Sequence, residues 1–188
     1  MTGNYNAYEV KEVNADKSIK YLFFSRGDSD IFKAVAFDYI QDFKGYPLFN
    51  LGFGDYILET EEIDDSVNSN NGDMHTVFYT VLSTVPKFFV VHPNALMVVE
   101  GSDHTHDFWD KCKKDCKKNC TDTCKNLNRR IKTYRYFVNK NYATLIKDYS
   151  FFGGTREMGT VIIHDDYEIG REYDLVFCKR NISLPYEN

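Results

Sequence analysis

The chain has 188 residues, 43% apolar and 16% aromatic, with a formal net charge of −5. That is the length of one domain, with apolar residues enough for a substantial core. The acidic balance excludes a protein whose whole surface grips nucleic acid, although residues 111–140 set eleven Lys and Arg against only Asp115 and Asp122.

The N-terminal stretch "MTGNYNAYEVKEVNADKSIK" has no apolar segment of the signal-peptide kind. No apolar run approaches the ~20 residues of a membrane span. The expected setting is the cytoplasm, without membrane attachment, where stable disulfides are uncommon. The first predicted elements are strands: "SIKYLFFS" (18–25) and "IFKAVAFDYI" (31–40) are aromatic and β-branched, with "RGDSD" as the turn between them. In "PLFNLGFGDY" (47–56), Phe49, Leu51 and Phe53 share one face and Asn50, Gly52 and Gly54 the other. Glycines along one face of a strand mark close approach by another backbone, a ligand or a tightly packed helix.

An acidic, amide-rich loop (59–73) leads into a predicted helix. Met74, Val77, Phe78, Val81, Leu82, Val85 and Phe89 follow its 3.6-residue period, Asp73 stands at the N-cap, and Pro86 is expected to kink or end it. A turn at Pro93-Asn94 opens a buried strand, 95–100, stopping at Gly101-Ser102. Leu127, Ile131, Tyr134 and Val138 give a second helical stripe, and "NYATLIKDY" (141–149) reads as a short third helix. "FFGGTRE" (151–157) reads as a flexible Gly-Gly turn, and "MGTVIIH" (158–164) and "YDLVFCKR" (173–180) as closing strands. The fold class predicted from this order is α+β: a single domain with a mostly antiparallel sheet packed against two main helices, carrying a helical Cys-rich insertion.

Four segments, "FNLGFGD", "DDSVNSNNGDMHTVFYTVLSTV", "HPNALMVVEGS" and "RIKTYRYFVNKNY", together resemble a small bacterial family of unknown function. Its signature is an Asn-Leu-(Gly/Ala)-Phe-Gly-Asp strand, an Asn-Asn-x-Asp helix start and a Gly-Ser…Arg…Tyr strand-to-helix element. The resemblance spans roughly residues 20–180 and implies a compact α+β domain with no established activity. Members pass from Gly-Ser to the Arg-led helix in a few residues. Here 27 separate Ser102 from Arg130, so 103–128 stands out as an insertion.

That insertion holds Cys112, Cys116, Cys120 and Cys124 at intervals of four. On one straight helix over 108–124 they form a stripe with Phe108, and the outer two lie ~18 Å apart, too far to share one tetrahedral zinc. The expectation is therefore plain thiols in a packing stripe, with no metal and no cofactor. A metal held with help from His104 and His106 or a second subunit, a hairpin at "NCTDTC", and a disulfide are the alternatives.

The first candidate site is the junction of Ser102 with Arg130, Lys132 and Tyr134. Backbone amides at a helix start and an Arg fork suit an anion. The plainer reading is a solvated basic face with Tyr134 in the core. The second is Asp55, Asp73 and His75, with Asn70 and Asn71 between them, as acid/base groups or oxygen ligands for a divalent ion. The plainer reading makes one Asp a turn residue and the other a cap. No phosphate loop, dinucleotide fingerprint or HExxH zinc motif is present in the sequence. The function expected is that of a cytoplasmic bacterial binding domain, one half of a two-gene toxin–antitoxin or defence unit, with a protein partner from an adjacent gene. The competing reading is an enzyme on a phosphate-bearing substrate such as RNA, with Ser102 and Arg130 as anion site and an Asp as base.

Overall fold

A computed structural model describes residues 6–65, 71–115, 120–121 and 124–181 of the chain, which divide into two units, Met1–Leu96 and Met97–Asn188. Among the described residues, nine strands and three α-helices make a mixed α+β chain with mostly antiparallel strand pairing.

The first unit is a meander. Strands β1 (Lys11–Ala15), β2 (Ser18–Arg26), β3 (Asp30–Phe43) and β4 (Tyr46–Ile57) pair in sequence order, and short β5 (Glu62–Asp64) returns onto β4. Strand β1 is exposed throughout and its KEVNA sequence has no buried face, which is why hydrophobic pattern alone misses it. In β2 the alternation is clean: Ile19, Tyr21, Phe23 and Ser25 are buried while Phe24 faces out. Strand β3 runs three residues past the predicted end because a bulge between Tyr39 and Gln41 restores the pairing with β4. The β3–β4 turn is Lys44-Gly45, both with positive φ (50° and 83°), a pair that matches the right-handed twist of a tight hairpin. Of the β4 glycines, Gly54 is explained by backbone approach: a Cβ there would collide with the Asp64 carbonyl of β5.

Helix α1 (Met74–Val91) packs its Val77, Thr80, Val81, Thr84, Phe88 and Phe89 inward. The buried stripe is rotated from the predicted one. Met74 is 68% exposed and Phe78, Leu82 and Val85 are only half-buried, while the predicted stripe omits Phe88 entirely. The reason is local chemistry: Thr80 and Thr84 turn their hydroxyls onto the Thr76 and Val81 carbonyls and so enter the core satisfied. Pro86 does not end the helix. Five further residues follow it, held by Phe88, which stacks on Phe37 at 4.3 Å and meets Phe49 edge-on at 5.1 Å. At 18 residues, α1 is the one helix among the described residues long and apolar enough to cross a membrane, and a third of it is buried inside the structure.

The second unit carries β6 (Leu96–Glu100), a turn of 3₁₀ helix (Ser102–His104), α2 (His106–Asp115), α3 (Arg129–Leu145), β7 (Tyr149–Glu157), β8 (Thr160–His164) and β9 (Leu175–Arg180). Their strand order is β6-β9-β7-β8. Two sequence expectations need correction here. Residues 141–145 continue α3 rather than forming a helix of their own. The Gly-Gly stretch is the middle of β7, where a Cβ on Gly153 would strike the Tyr173 ring. Glycine serves there as space for an aromatic ring. Its β7–β8 turn, Met158-Gly159, repeats the double positive φ of the first unit.

Cys112 and Cys124 do not lie on one straight helix: their sulfurs are 3.6 Å apart. Asn126 Nδ2 donates to Cys112 Sγ at 3.2 Å, and the Lys125 amide to Cys120 Sγ at 3.3 Å. Cys116 falls outside the described residues. Cys178 is buried in β9, and burial pushes its thiol well above the ordinary range.

Candidate functional site

Asp55 sits in β4, directly opposite Lys33 of β3 in the antiparallel register, and the two side chains form an ion pair. Lys33 is only 5% exposed, so the carboxylate offsets a charge that the sheet has taken out of water. That environment fits a structural counter-ion.

Asp73 belongs to a different network. It stands at the N-cap position of α1, yet its side chain caps no helix amide. Oδ2 instead accepts hydrogen bonds from Ser25 Oγ at 2.6 Å and Tyr8 Oη at 2.7 Å. Burial, and then this bond, holds the Tyr8 phenol above its ordinary pKa. Asn71 completes the knot: its amide donates to Ser25 Oγ and the Ser29 carbonyl, and its Oδ1 accepts from the Ser29 backbone. The β2–β3 turn presses so closely on Asn71 that a Cβ on Gly27 would overlap its carbonyl. The Asn71-x-Asp73 segment thus straps the loop before α1 onto the end of β2. Asn70 lies outside the described residues, and His75 is exposed on the first turn of α1.

In the second unit, Ser102 and Arg130 do meet: Arg130 Nη1 donates to Ser102 Oγ. The residues between them do not separate them, because Asp103 binds the start of α3. Its carbonyl accepts the Asn128 amide at 3.2 Å, and its carboxylate Oδ2 accepts the Arg130 amide at 3.0 Å. Asn128, with φ 58°, turns the chain into the helix. Asp103 is 3% exposed, and its Oδ1 is buried with no hydrogen-bond partner. A Cβ on Gly101 would collide with that oxygen, so glycine is required where the cap passes. The helix-start donor predicted for an outside anion is therefore already engaged by the chain's own carboxylate. The Arg130 guanidinium and the Ser102 hydroxyl are the parts of the predicted anion site that the structure brings together. Lys132 is exposed, and Tyr134 is buried in the core, as the plainer reading has it.

Sequence reasoning passes over Asp103 and Arg135. Arg135, 8% exposed, donates to the Tyr173 carbonyl at 3.1 Å and to Glu172 at 2.8 Å, and that hydrogen bond holds the Glu172 carboxyl below its ordinary range. Beside it Tyr142, Tyr167 and Tyr173 stack at 5.1–5.8 Å, and burial pushes the Tyr167 phenol up to about 12. A buried Arg in a helix of exposed basic residues has no distinguishing spacing. Only its position one residue after Tyr134 on the inward face could have flagged it. Among the described residues, no group of three or more His, Cys, Asp or Glu side chains is placed to hold a metal ion.

Residues 4–108 match a family of unknown function, DUF6934, and the chain belongs to that family. The match covers the first unit, β6 and the 3₁₀ turn, and ends inside α2. No curated protein and no solved structure matches the chain.

Proposed function

We propose that this DUF6934 chain is a cytoplasmic bacterial interaction module, one half of a two-gene toxin–antitoxin or defence unit whose partner is the product of the neighbouring gene. The observation that supports this reading is the solvent face of α1. Tyr79, Pro86 and Val90 lie seven and then four residues apart, on one side of the helix, and all are exposed; Val90 is 72% exposed. Val91 is exposed beside them, and Lys87 is the one residue of the helix with a full charge. A helix that buries one apolar side and shows water another is the usual preparation for a protein partner. The two carboxylates of the same unit that the sequence singles out for acid/base chemistry, Asp55 and Asp73, are both engaged in holding strands and loop together. The test is co-expression with the neighbouring gene product. The reading expects a stable complex on size exclusion that Val90→Glu abolishes while thermal unfolding stays within a degree or two. A complex indifferent to Val90→Glu and Tyr79→Glu, or no complex, would count against it.

The Arg130–Ser102 contact favours a second reading, an enzyme acting on a phosphate-bearing substrate such as RNA. Arg130 and Ser102 would hold the phosphate and an Asp would act as base. Overexpression in a bacterial host that arrests growth, with relief by Arg130→Ala, would move the balance to this reading.

A further inference from the structure

We infer that Cys112 and Cys124 form a redox-responsive dithiol, closed to a disulfide by thiol–disulfide exchange with a small disulfide such as oxidised glutathione. The site stands apart from either functional reading above.

Three observations carry it. The two sulfurs, twelve residues apart in sequence, lie 3.6 Å from each other. A disulfide needs them at about 2.0 Å, a displacement that side-chain rotation and small backbone adjustment supply. The pair is also asymmetric. Cys124 is buried, at 8% exposure, while Cys112 is only partly buried and is the more accessible of the two to an incoming disulfide. Finally, Asn126 Nδ2–H donates to Cys112 Sγ at 3.2 Å and so helps hold that sulfur in place beside Cys124.

The exchange balances without further reagents. The Cys112 thiolate attacks one sulfur of glutathione disulfide and expels one glutathione thiolate, which takes up a proton. The Cys124 thiol loses its proton and attacks the Cys112 sulfur of the mixed disulfide, expelling the second glutathione. Two protein thiols are oxidised and one glutathione disulfide is reduced to two thiols. In a reducing compartment such a bond is transient, as expected of a sensor rather than a staple. Its position gives it a consequence. The Cys124 carbonyl accepts the Leu127 amide in the turn that leads to Asn128 and the start of α3, where Arg130 meets Ser102. Closing the loop fixes α2 to that turn.

The test titrates the full chain with stepped ratios of oxidised to reduced glutathione, followed by alkylation and peptide mass mapping. The expected result is reversible loss of two thiols, recovered as one Cys112–Cys124 cross-linked peptide, with Cys178 still alkylated only after unfolding. Cys112→Ser and Cys124→Ser should each abolish the cross-link, and Cys120→Ser should leave it. A cross-link that persists in Cys112→Ala, or thiols that stay reduced at every ratio, overturns the inference. So does zinc that copurifies at one equivalent and shields the sulfurs from alkylation, since it would make the pair part of a metal site. Circular dichroism of each variant separates loss of the cross-link from loss of the fold.

Discussion

The starts of α1 and α3 each hold a carboxylate, and the two carboxylates do opposite things. At α1, Asp73 occupies the cap position and caps nothing; it turns away to Ser25 and Tyr8 and ties the helix start to the end of β2. At α3, the residue at the cap position, Asn128, makes no side-chain cap, and the capping oxygen comes from Asp103, in the 3₁₀ turn that follows β6. A helix start needs its amides satisfied, but the acceptor is chosen by tertiary geometry rather than by adjacency. An acidic residue before an apolar helix is thus poor evidence for a cap, and an Arg-led helix start is poor evidence for an empty anion cradle.

If α1 is held by its far end rather than by a cap, the largest loss should come from Phe88. Its ring is fully buried on Phe37, and Phe88→Ala should cost about 3–5 kcal/mol in denaturant unfolding. Phe78→Ala, on the half-buried flank, should cost markedly less; equal losses would return the helix to the orientation its sequence period suggests. A third carboxylate extends the comparison. Asp55→Ala takes a carboxylate away from the buried Lys33 ammonium and should cost about 3 kcal/mol, while Lys33→Met combined with Asp55→Leu should recover most of that loss. If the double variant were as unstable as the single one, the pair would have a role beyond neutralising its own charge.

The two helix starts themselves come next. Asp73→Ala and Asp103→Ala each take an acceptor away from partly buried donors and should each cost about 1–3 kcal/mol. The smallest effect concerns pH. His92, packed on Phe49 and Phe88 near the end of α1, has its pKa lowered by burial. The unfolded chain therefore binds a proton that the folded chain resists. This contribution to stability is complete above the ordinary value of 6.5 and is lost as pH falls through the lowered folded value. His92→Gln should flatten that part of the stability–pH curve; an unchanged slope would assign the acid sensitivity elsewhere.

Much of the architecture is legible in the sequence because it rests on local pattern. Alternation in "SIKYLFFS" and "PLFNLGFGDY" gives β2 and β4, and the 3.6-residue period gives α1 and α3. The elements that escape it have no such pattern. Strand β1 has no buried face, and β7 is disguised by Gly153, whose reason for being glycine is the Tyr173 ring twenty residues later. The closeness of Cys112 to Cys124 is invisible to a helical wheel, which returns a stripe for any residue repeated every four positions. At the candidate sites, pairing Ser102 with Arg130 follows from the strand-to-helix order, whereas Asp103 as the acceptor between them depends on a contact made across the insertion.

Native-state hydrogen exchange reads the different roles of the two carboxylates most directly. In Asp103→Ala the Arg130 amide, which donates to that carboxylate, should lose protection, while the Ser29 amide keeps its wild-type rate. In Asp73→Ala the pattern should reverse: Ser29, held through Asn71 and Ser25, should exchange faster and Arg130 should not change. An Arg130 amide that stays equally protected without the Asp103 carboxylate would contradict the assignment of that residue as the cap of α3.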